Sequence, residues 1–523
     1  MVSVKVRRIA VKLNYVTLLV GVLIVGGIAD AQEVLNSEKF SPLVSLSPSL
    51  WREGENPALL HSSGLMNYAI TSLTGLNRFG ALKRPQEPME QGIYRFNAKG
   101  GSRVGAWLAA GSFLYRRVND KAVEWLAAES AYGGNPFLYA DSVGGDWFRD
   151  EFVLSASLGS PEWFERLSVG AKLDYDVGQG ARRNGARPLY RTRRINLKTA
   201  LALRLFDAQR VSLSPLWNWR KEENEFAFFT TQSDWRLYFL QGFGTFNRTT
   251  VNSAERNATG EFKGIDIGYE GKLDAWAWSA SATWLTGTTN VIDGVSVASF
   301  SGRVIHNLEG YRIAVQRLSK EVSVEVRGAY SKRDERGADD FDASITSSQT
   351  EPDFLAVNVI DQEESTNFEV ELWLNEQRAT SPLRLFAKWQ TRKLLRRDIM
   401  AETDWRVQLQ TLQVGALSAI PIRNALLFSG ASVAYTSSSG ASYRADRPTV
   451  LTPILVRPDF LVMSAERRFI SLLLGVETTA IWIRASALRT FLSLNYSDSP
   501  ARYDDGTKVG LRRTISLELQ LLY

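Results

Sequence analysis

Within residues 509–523, VGLRRTISLELQLLY, positions 514–521 alternate strictly. Ile515, Leu517, Leu519, Leu521 and Tyr523 fall on one face of an extended backbone, and Thr514, Ser516, Glu518 and Gln520 on the other. Period two excludes a helix there and predicts a strand with one apolar and one polar side. The pattern recurs at 151–158, where Phe152, Leu154, Ala156 and Leu158 share a side, and at 167–175 with Leu167, Val169, Ala171, Leu173 and Tyr175. Its clearest instance is 194–206, with Ile195, Leu197, Leu201, Leu203 and Leu205 against Arg194, Asn196, Lys198 and Arg204. In a soluble sandwich the apolar faces would share a core; in a membrane barrel they face lipid. The alternation runs almost end to end with no linker, so one large barrel fits better than several domains.

The N-terminal end reads differently. Lys5, Arg7, Arg8 and Lys12 precede an apolar run at 15–28, and Ala29-Asp30-Ala31 supplies a small-residue cleavage pattern. Together they predict a secretory signal peptide over 1–31, cleaved near Ala31. The general secretory route is expected despite Arg7-Arg8, because a barrel must cross the inner membrane unfolded. Beyond residue 31 no run reaches the ~18 apolar residues of a membrane helix. Four basic residues and one acidic one leave with the signal, so 62 becomes 58 and 56 becomes 55, a net charge of about +3. That balance gives no argument for nucleic acid as a partner. Cysteine is absent, which excludes disulfides and thiol chemistry. The 15 tryptophans suit aromatic girdles at two membrane interfaces.

Residues 32–62 form a polar lead expected to lie in the periplasm or tuck into the barrel, and 63–523 form the barrel itself. Very short connections alternate with longer ones, expected at 119–146, 178–190, 334–361 and 436–459. The short ones centre on Asp207-Ala208-Gln209, Gly271-Lys272, Ser319-Lys320, Arg378-Ala379-Thr380 and Pro421-Ile422-Arg423. Long loops on one side are the asymmetry of outer-membrane barrels, and the acidic, Ser/Thr-rich 334–361 stretch is expected to be a mobile surface loop. Counting back from the last strand gives roughly 18 strands, within a range of about 14 to 20, with about 20 if 226–248 holds a further pair.

Candidate chemistry is sparse. Lys172, Asp174, Arg194, Lys198, Arg204, Glu325, Arg327, Glu369, Glu371, Arg384 and Lys388 all fall on polar faces. They must meet water, each other or a plug, so they are candidate lumen residues. Cross-strand ion pairing and a solute path lined by both signs are the two readings. Of the two histidines, His61 and His306, only His306 has candidate partners for a barrel-embedded hydrolase, in Ser299, Ser301 and Asn307. An ordinary wall histidine is the simpler reading. Asp339-Asp340-Phe341-Asp342 and Tyr503-Asp504-Asp505-Gly506 read as loop charge and turn chemistry, without the ligand order of a calcium loop. Gly178-Gln179-Gly180-Ala181 reads as a loop beside Arg182, Arg183 and Arg187. No nucleotide-binding or zinc motif is present, and no cofactor, metal or catalytic residue is expected.

A chain ending on an aromatic such as Tyr523 resembles the C-terminal signal of bacterial outer-membrane barrels, which barrel assembly machinery reads. Asn56-Pro57-Ala58-Leu59 is similar to the N-P-A element of FadL-type barrels, which transport long-chain fatty acids and other hydrophobic molecules. Three stretches resemble an uncharacterised family of Bacteroidota outer-membrane barrels: Trp51 with Gly54-Glu55-Asn56-Pro57-Ala58; Ala140-Asp141-Ser142-Val143-Gly144-Gly145-Asp146-Trp147; and Gly178-Gln179-Gly180-Ala181-Arg182 with Arg187-Pro188. The resemblance implies a bacterial outer-membrane location and a barrel, and brings no activity. The chain departs from the FadL pattern in its larger strand count and in lacking a clear apolar hatch helix. The expectation is therefore an all-β, antiparallel, porin-like outer-membrane barrel in contact with lipid, passing a small polar or amphipathic solute. The alternatives are an accessory barrel docking with other envelope proteins through its outer loops, and the hydrolase.

Overall fold

The structure is a computed structural model; it describes residues 56–63, 67–183, 187–227, 237–249, 253–294, 299–319, 321–339, 356–374, 382–423, 425–480, 485–503 and 506–523. The expected signal peptide, Trp51, Asp340-Phe341-Asp342, the Arg378-Ala379-Thr380 turn and Asp504-Asp505 lie outside them.

In chain order the strands are β1 (Tyr68–Phe79), β2 (Glu90–Val104), β3 (Trp107–Val123), β4 (Phe137–Ala140), β5 (Gly145–Gly159), β6 (Leu167–Arg182) and β7 (Leu189–Phe206). Then come β8 (Gln209–Ala227), β9 (Leu237–Gln241), β10 (Phe246–Thr249), β11 (Ser253–Leu273), β12 (Trp276–Asp293), β13 (Ser299–Arg317) and β14 (Val322–Asp339). The last are β15 (Ala356–Leu374), β16 (Leu383–Asp398), β17 (Thr403–Ile422), β18 (Ala425–Ala445), β19 (Arg467–Ala480), β20 (Ala485–Arg502) and β21 (Lys508–Leu522). Among the described residues a short α-helix, α1 (Arg457–Ser464), follows a π-helical turn at Thr452–Val456, and Pro57–Ser63 forms a 3-10 helix.

Eighteen of these strands form one antiparallel sheet that closes on itself, because β1 pairs with both β2 and β21. The seam runs from Ile70 opposite Leu522 to Phe79 opposite Arg513. Closure satisfies the edge hydrogen bonds that an open sheet would leave bare. The remaining three strands pair in the order β10-β9-β4 and stay off the wall. The pair expected within 226–248 is thus real but adds nothing to the barrel, and the count stays at 18.

The outward face is a belt of large apolar side chains, among them Leu173, Leu201, Leu213, Ile313, Leu412, Leu474 and Leu517, all well exposed. Apolar surface this extensive is foreign to a monomer in water and suits lipid. At one end the connections are tight: 105–106, 207–208 and 274–275 are two residues each. At the other end lie the long inserts that include 124–144, 237–249 and 446–466.

Several expected loops are wall. β6 runs to Arg182 and β7 starts at Leu189, so Gly178 to Arg182 is strand; β14 runs to Asp339 and β18 to Ala445. The expected loop residues Asp334 and Asp361 belong to β14 and β15, and the centre of that stretch, 340–355, is outside the described residues. The turn expected at Gly271-Lys272 falls at 274–275, where Asp274 takes a left-handed φ of 49°. Twenty-one residues in β11 and in β18 exceed the ~9–11 that a tilted strand needs to cross a bilayer. The barrel therefore stands proud of the membrane at the long-loop end.

If the belt faces lipid, Leu201→Arg or Leu203→Arg near the midplane is expected to cost about 2–4 kcal/mol of stability. Reversible unfolding from lipid vesicles measures it, and a cost near zero would mean the faces are reversed.

Candidate functional site

The long inserts fold into the mouth of the barrel rather than away from it. Leu126, Ala128, Leu138, Ala140, Leu240, Leu451 and Leu455 from the inserts pack with Val123, Trp147 and Tyr190 of the wall. A second cluster joins Val456, Phe460 and Met463 to Leu394, Trp405 and Val407. Here the strands turn an apolar face inward. In β17, Trp405, Val407 and Leu409 are buried while Arg406 is 61% exposed, and a few residues on Leu412 and Val414 point outward. The reversal coincides with a register shift between Gln408 and Leu409. One strand thus serves two environments, lid above and lipid below.

Charged groups latch the lid. Asp459 of α1 accepts from Arg84 in the β1–β2 connection (Nε 2.5 Å, Nη2 2.7 Å) and from Arg396 of β16 (2.9 Å). Arg396 also reaches Asp361 at 3.1 Å. The Arg84 guanidinium lies 3.3 Å above the Tyr132 ring, and Gln86 donates to the Trp125 carbonyl at 2.6 Å. Burial pushes the Tyr132 hydroxyl above its usual range, so it stays neutral as it accepts the Gln86 N–H. Asp398 holds the β9–β10 turn through Thr245 (N 2.9 Å, Oγ1 2.8 Å). On the far wall Asp293 receives Arg256 (2.6 and 2.7 Å) and the Tyr139 hydroxyl (2.9 Å).

Two stretches set apart in the sequence meet at this lid. Asp141 takes the N–H groups of Val143 (2.9 Å) and Gly144 (3.2 Å) and forms a fully buried ion pair with Arg182. Trp147 packs on Tyr190, whose ring occupies the space a Cβ at Gly180 would need, 2.3 Å away.

Beneath the lid lies a cavity of about 500 Å³, walled by β1–β3, β5–β8, β11 and β12 and roofed by Glu129, Ser130, Gly133, Asn135 and Leu138. Arg194 lines it, bound to Glu129 and Asp176. The other predicted lumen charges pair across the inner face: Lys172 with Asp174 (3.3 Å), Lys198 with Asp266 (3.8 Å), Arg327 with Glu325 (2.8 Å) and Glu371 (3.5 Å), and Arg384 with Glu371. Glu369 and Lys388 stand opposite each other on a smaller cavity of about 200 Å³. Arg204 is the exception, sitting at the tight-turn rim on the Glu165 carbonyl (2.7 Å) and Glu162 (3.3 Å).

At that same end the Asn56-Pro57-Ala58 element docks inside the wall. Asn56 donates to Ser212 (2.9 Å) and Ser214 (3.2 Å), its Oδ1 accepts from the Ala58 N–H (3.1 Å), and Ser168 donates to the Ala58 carbonyl (2.8 Å). Ala58 and Leu59 rest on Ala200 and Ala202. Gly159 and Gly170 clear the way: a Cβ on Gly170 would come within 2.3 Å of Pro57 backbone. Leu60 is buried beside them.

His306 does not meet its expected partners. Ser301 donates to Asp293 (2.5 Å), and Asn307, on the other side of the strand, accepts from Thr286 (2.8 Å). His306 is instead buried among Glu335, Thr289 and Arg220, each at 3.0 Å, with Phe262 beside it. The Arg220 guanidinium donates both to Thr289 Oγ1 (2.8 Å) and to His306 Nε2. It occupies the lone pair that a general base would use, so the cluster reads as a wall brace. Among the described residues no group of acids and histidines has the geometry of a metal site.

An 18-stranded closed antiparallel barrel with charged inner and apolar outer faces defines a β-barrel of the outer-membrane class. Within that class the chain belongs to the family of unknown function DUF6850, which matches residues 57–523. No curated protein matches it. Among solved structures it is similar to the ferric preacinetobactin receptor BauA of Acinetobacter baumannii (8% identity, TM-score 0.37, 87% of this chain and 80% of that one). The FrpB iron transporter of Neisseria meningitidis gives 10%, 0.37, 87% and 81%, and the outer membrane transporter YddB of Escherichia coli 7%, 0.38, 88% and 81%.

Gly170→Ala is expected to expel the docked element. In a Leu60→Cys background, otherwise free of cysteine, thiol labelling should speed up at least tenfold. Unchanged labelling would show that the element does not depend on the glycine gap.

Proposed function

We propose that the chain is an outer-membrane channel, held shut by its own outer loops, that opens to pass a small polar or amphipathic solute without covalent chemistry. The observation that carries this reading is the charged cavity beneath a latched lid. A barrel with a purely structural role has no need of a hydrated, two-signed interior beneath a separable roof. In this reading the signal peptide is removed near Ala31, the tight turns face the periplasm, and the lid faces outward. Apolar contacts hold the resting lid closed, at about 1.5–3 kcal/mol for each large side chain fully buried. Asp459 tunes the balance, since its loss deprives the buried Arg84 guanidinium of its carboxylate and leaves Arg396 with Asp361 alone, at a cost of about 3–5 kcal/mol.

Asp459→Ala is therefore expected to raise conductance in planar bilayers, or liposome swelling in small sugars, at least tenfold over a low wild-type value. A folded variant that passes no more than wild type would contradict gating and fit the accessory docking barrel instead. Tyr523 sits in the seam, its backbone exchanging hydrogen bonds with Ala69 (2.8 and 3.3 Å). Deleting it is expected to reduce assembled barrel, read as the heat-modifiable gel shift; undiminished assembly would remove the terminal aromatic as a signal.

A further inference from the structure

The cavity beneath the lid is lined by two guanidiniums that no carboxylate among the described residues contacts. Seven basic and five acidic side chains line it. Most have partners: Arg116 pairs with Glu151, Arg149 with Asp120 (2.9 Å), Arg194 with Glu129 and Asp176, and Lys221 with Glu223 (2.6 Å). Asp150 accepts from the Tyr115 hydroxyl (2.8 Å), and Glu222 from the Glu129 N–H (2.9 Å). Arg220 is engaged by His306 and Thr289.

Two cations remain. Among the described residues neither Arg78 nor Arg95 has a carboxylate in hydrogen-bond or ion-pair contact. Glu87, the acid that acts on Arg78 at longer range, is held by Arg512 at 3.0 Å. Arg95 also stands directly opposite Arg116 across β2 and β3. Like charges in that position destabilise the pairing, and with Arg116 offset by Glu151 it is the Arg95 charge that is left to neutralise. The same cavity presents Ile93, Val118, Leu138 and the Tyr190 ring. Its volume falls in the ordinary range of small-molecule sites, and a guanidinium matches the two oxygens of a carboxylate or phosphate.

We infer that this cavity binds an organic oxyanion, its charged head received by Arg78 and Arg95 and its body by the apolar wall. The inference rests on the channel reading and narrows the solute to anions. The test is calorimetric titration of the full mature chain, folded in detergent, at constant ionic strength. Inorganic phosphate and succinate separate the two head groups, and choline serves as the cationic counterpart. Both wild type and Asp459→Ala are titrated, so that a closed lid does not hide the site.

At least one of the two anions is expected to bind and choline not to. Arg78→Gln and Arg95→Gln together should weaken that binding at least tenfold with the heat-modifiable shift retained. If the glutamine pair does not fold, the lysine pair decides: losing both forks should still weaken binding threefold or more. Silence toward both anions, equal binding of choline, or unchanged affinity in the folded double variant would overturn the site. No anion binding with sugar flux through Asp459→Ala removes the oxyanion site and leaves the channel. Anion binding without flux leaves the site and removes the channel.

Discussion

Backbone hydrogen bonding in a medium that offers none is the constraint from which the rest follows. A strand surrounded by lipid must find both neighbours, so the sheet has no admissible edge and must close. Here closure falls between the first and last wall strands, nearly the full chain length apart, with ten residue pairs from Ile70–Leu522 to Phe79–Arg513. Each strand then has two fixed faces. The outer is apolar because it meets lipid, and the inner can carry charge because it meets water, counter-charge and inserts.

That division holds only over the height of the bilayer. Above it the wall continues, the outside becomes aqueous, and the inside becomes the bed for the lid. The apolar face accordingly changes sides, as the step from Trp405, Val407 and Leu409 to Leu412 and Val414 shows. The lid is therefore part of the architecture, sharing apolar clusters with the wall and tied to it by buried charge at Asp459, Asp398, Asp293 and Asp141.

Much of the barrel was legible because period two is a strong local signal over leucine-rich stretches such as 194–206 and 509–523. Strand number followed from the rhythm of turns. What alternation alone missed was the upper wall, where Gly178 to Arg182 and Asp334 to Asp339 are strand with no simple apolar side. The lid escaped notice for a related reason: β4, β9 and β10 are four or five residues long, and β4 joins the β9–β10 hairpin across a large sequence separation. A signal was present, since a shift from odd to even apolar positions within 405–414 marks a wall leaving the membrane. Arg78 and Arg95 could not be singled out, because an unbalanced cation is visible only once every neighbour's partner is known. The Asn56-Pro57-Ala58 element was visible as a motif, but the glycines that admit it lie more than a hundred residues away.

The central claim is that the inserts form a packed lid within the mouth. Hydrogen exchange of the barrel in lipid nanodiscs tests it most directly, through the amides of Phe137–Ala140 and Leu237–Gln241. Exchange as slow as in neighbouring wall strands such as β5 and β8 is the predicted result. Exchange in seconds, as in open loops, would mean that the mouth is not closed in this way.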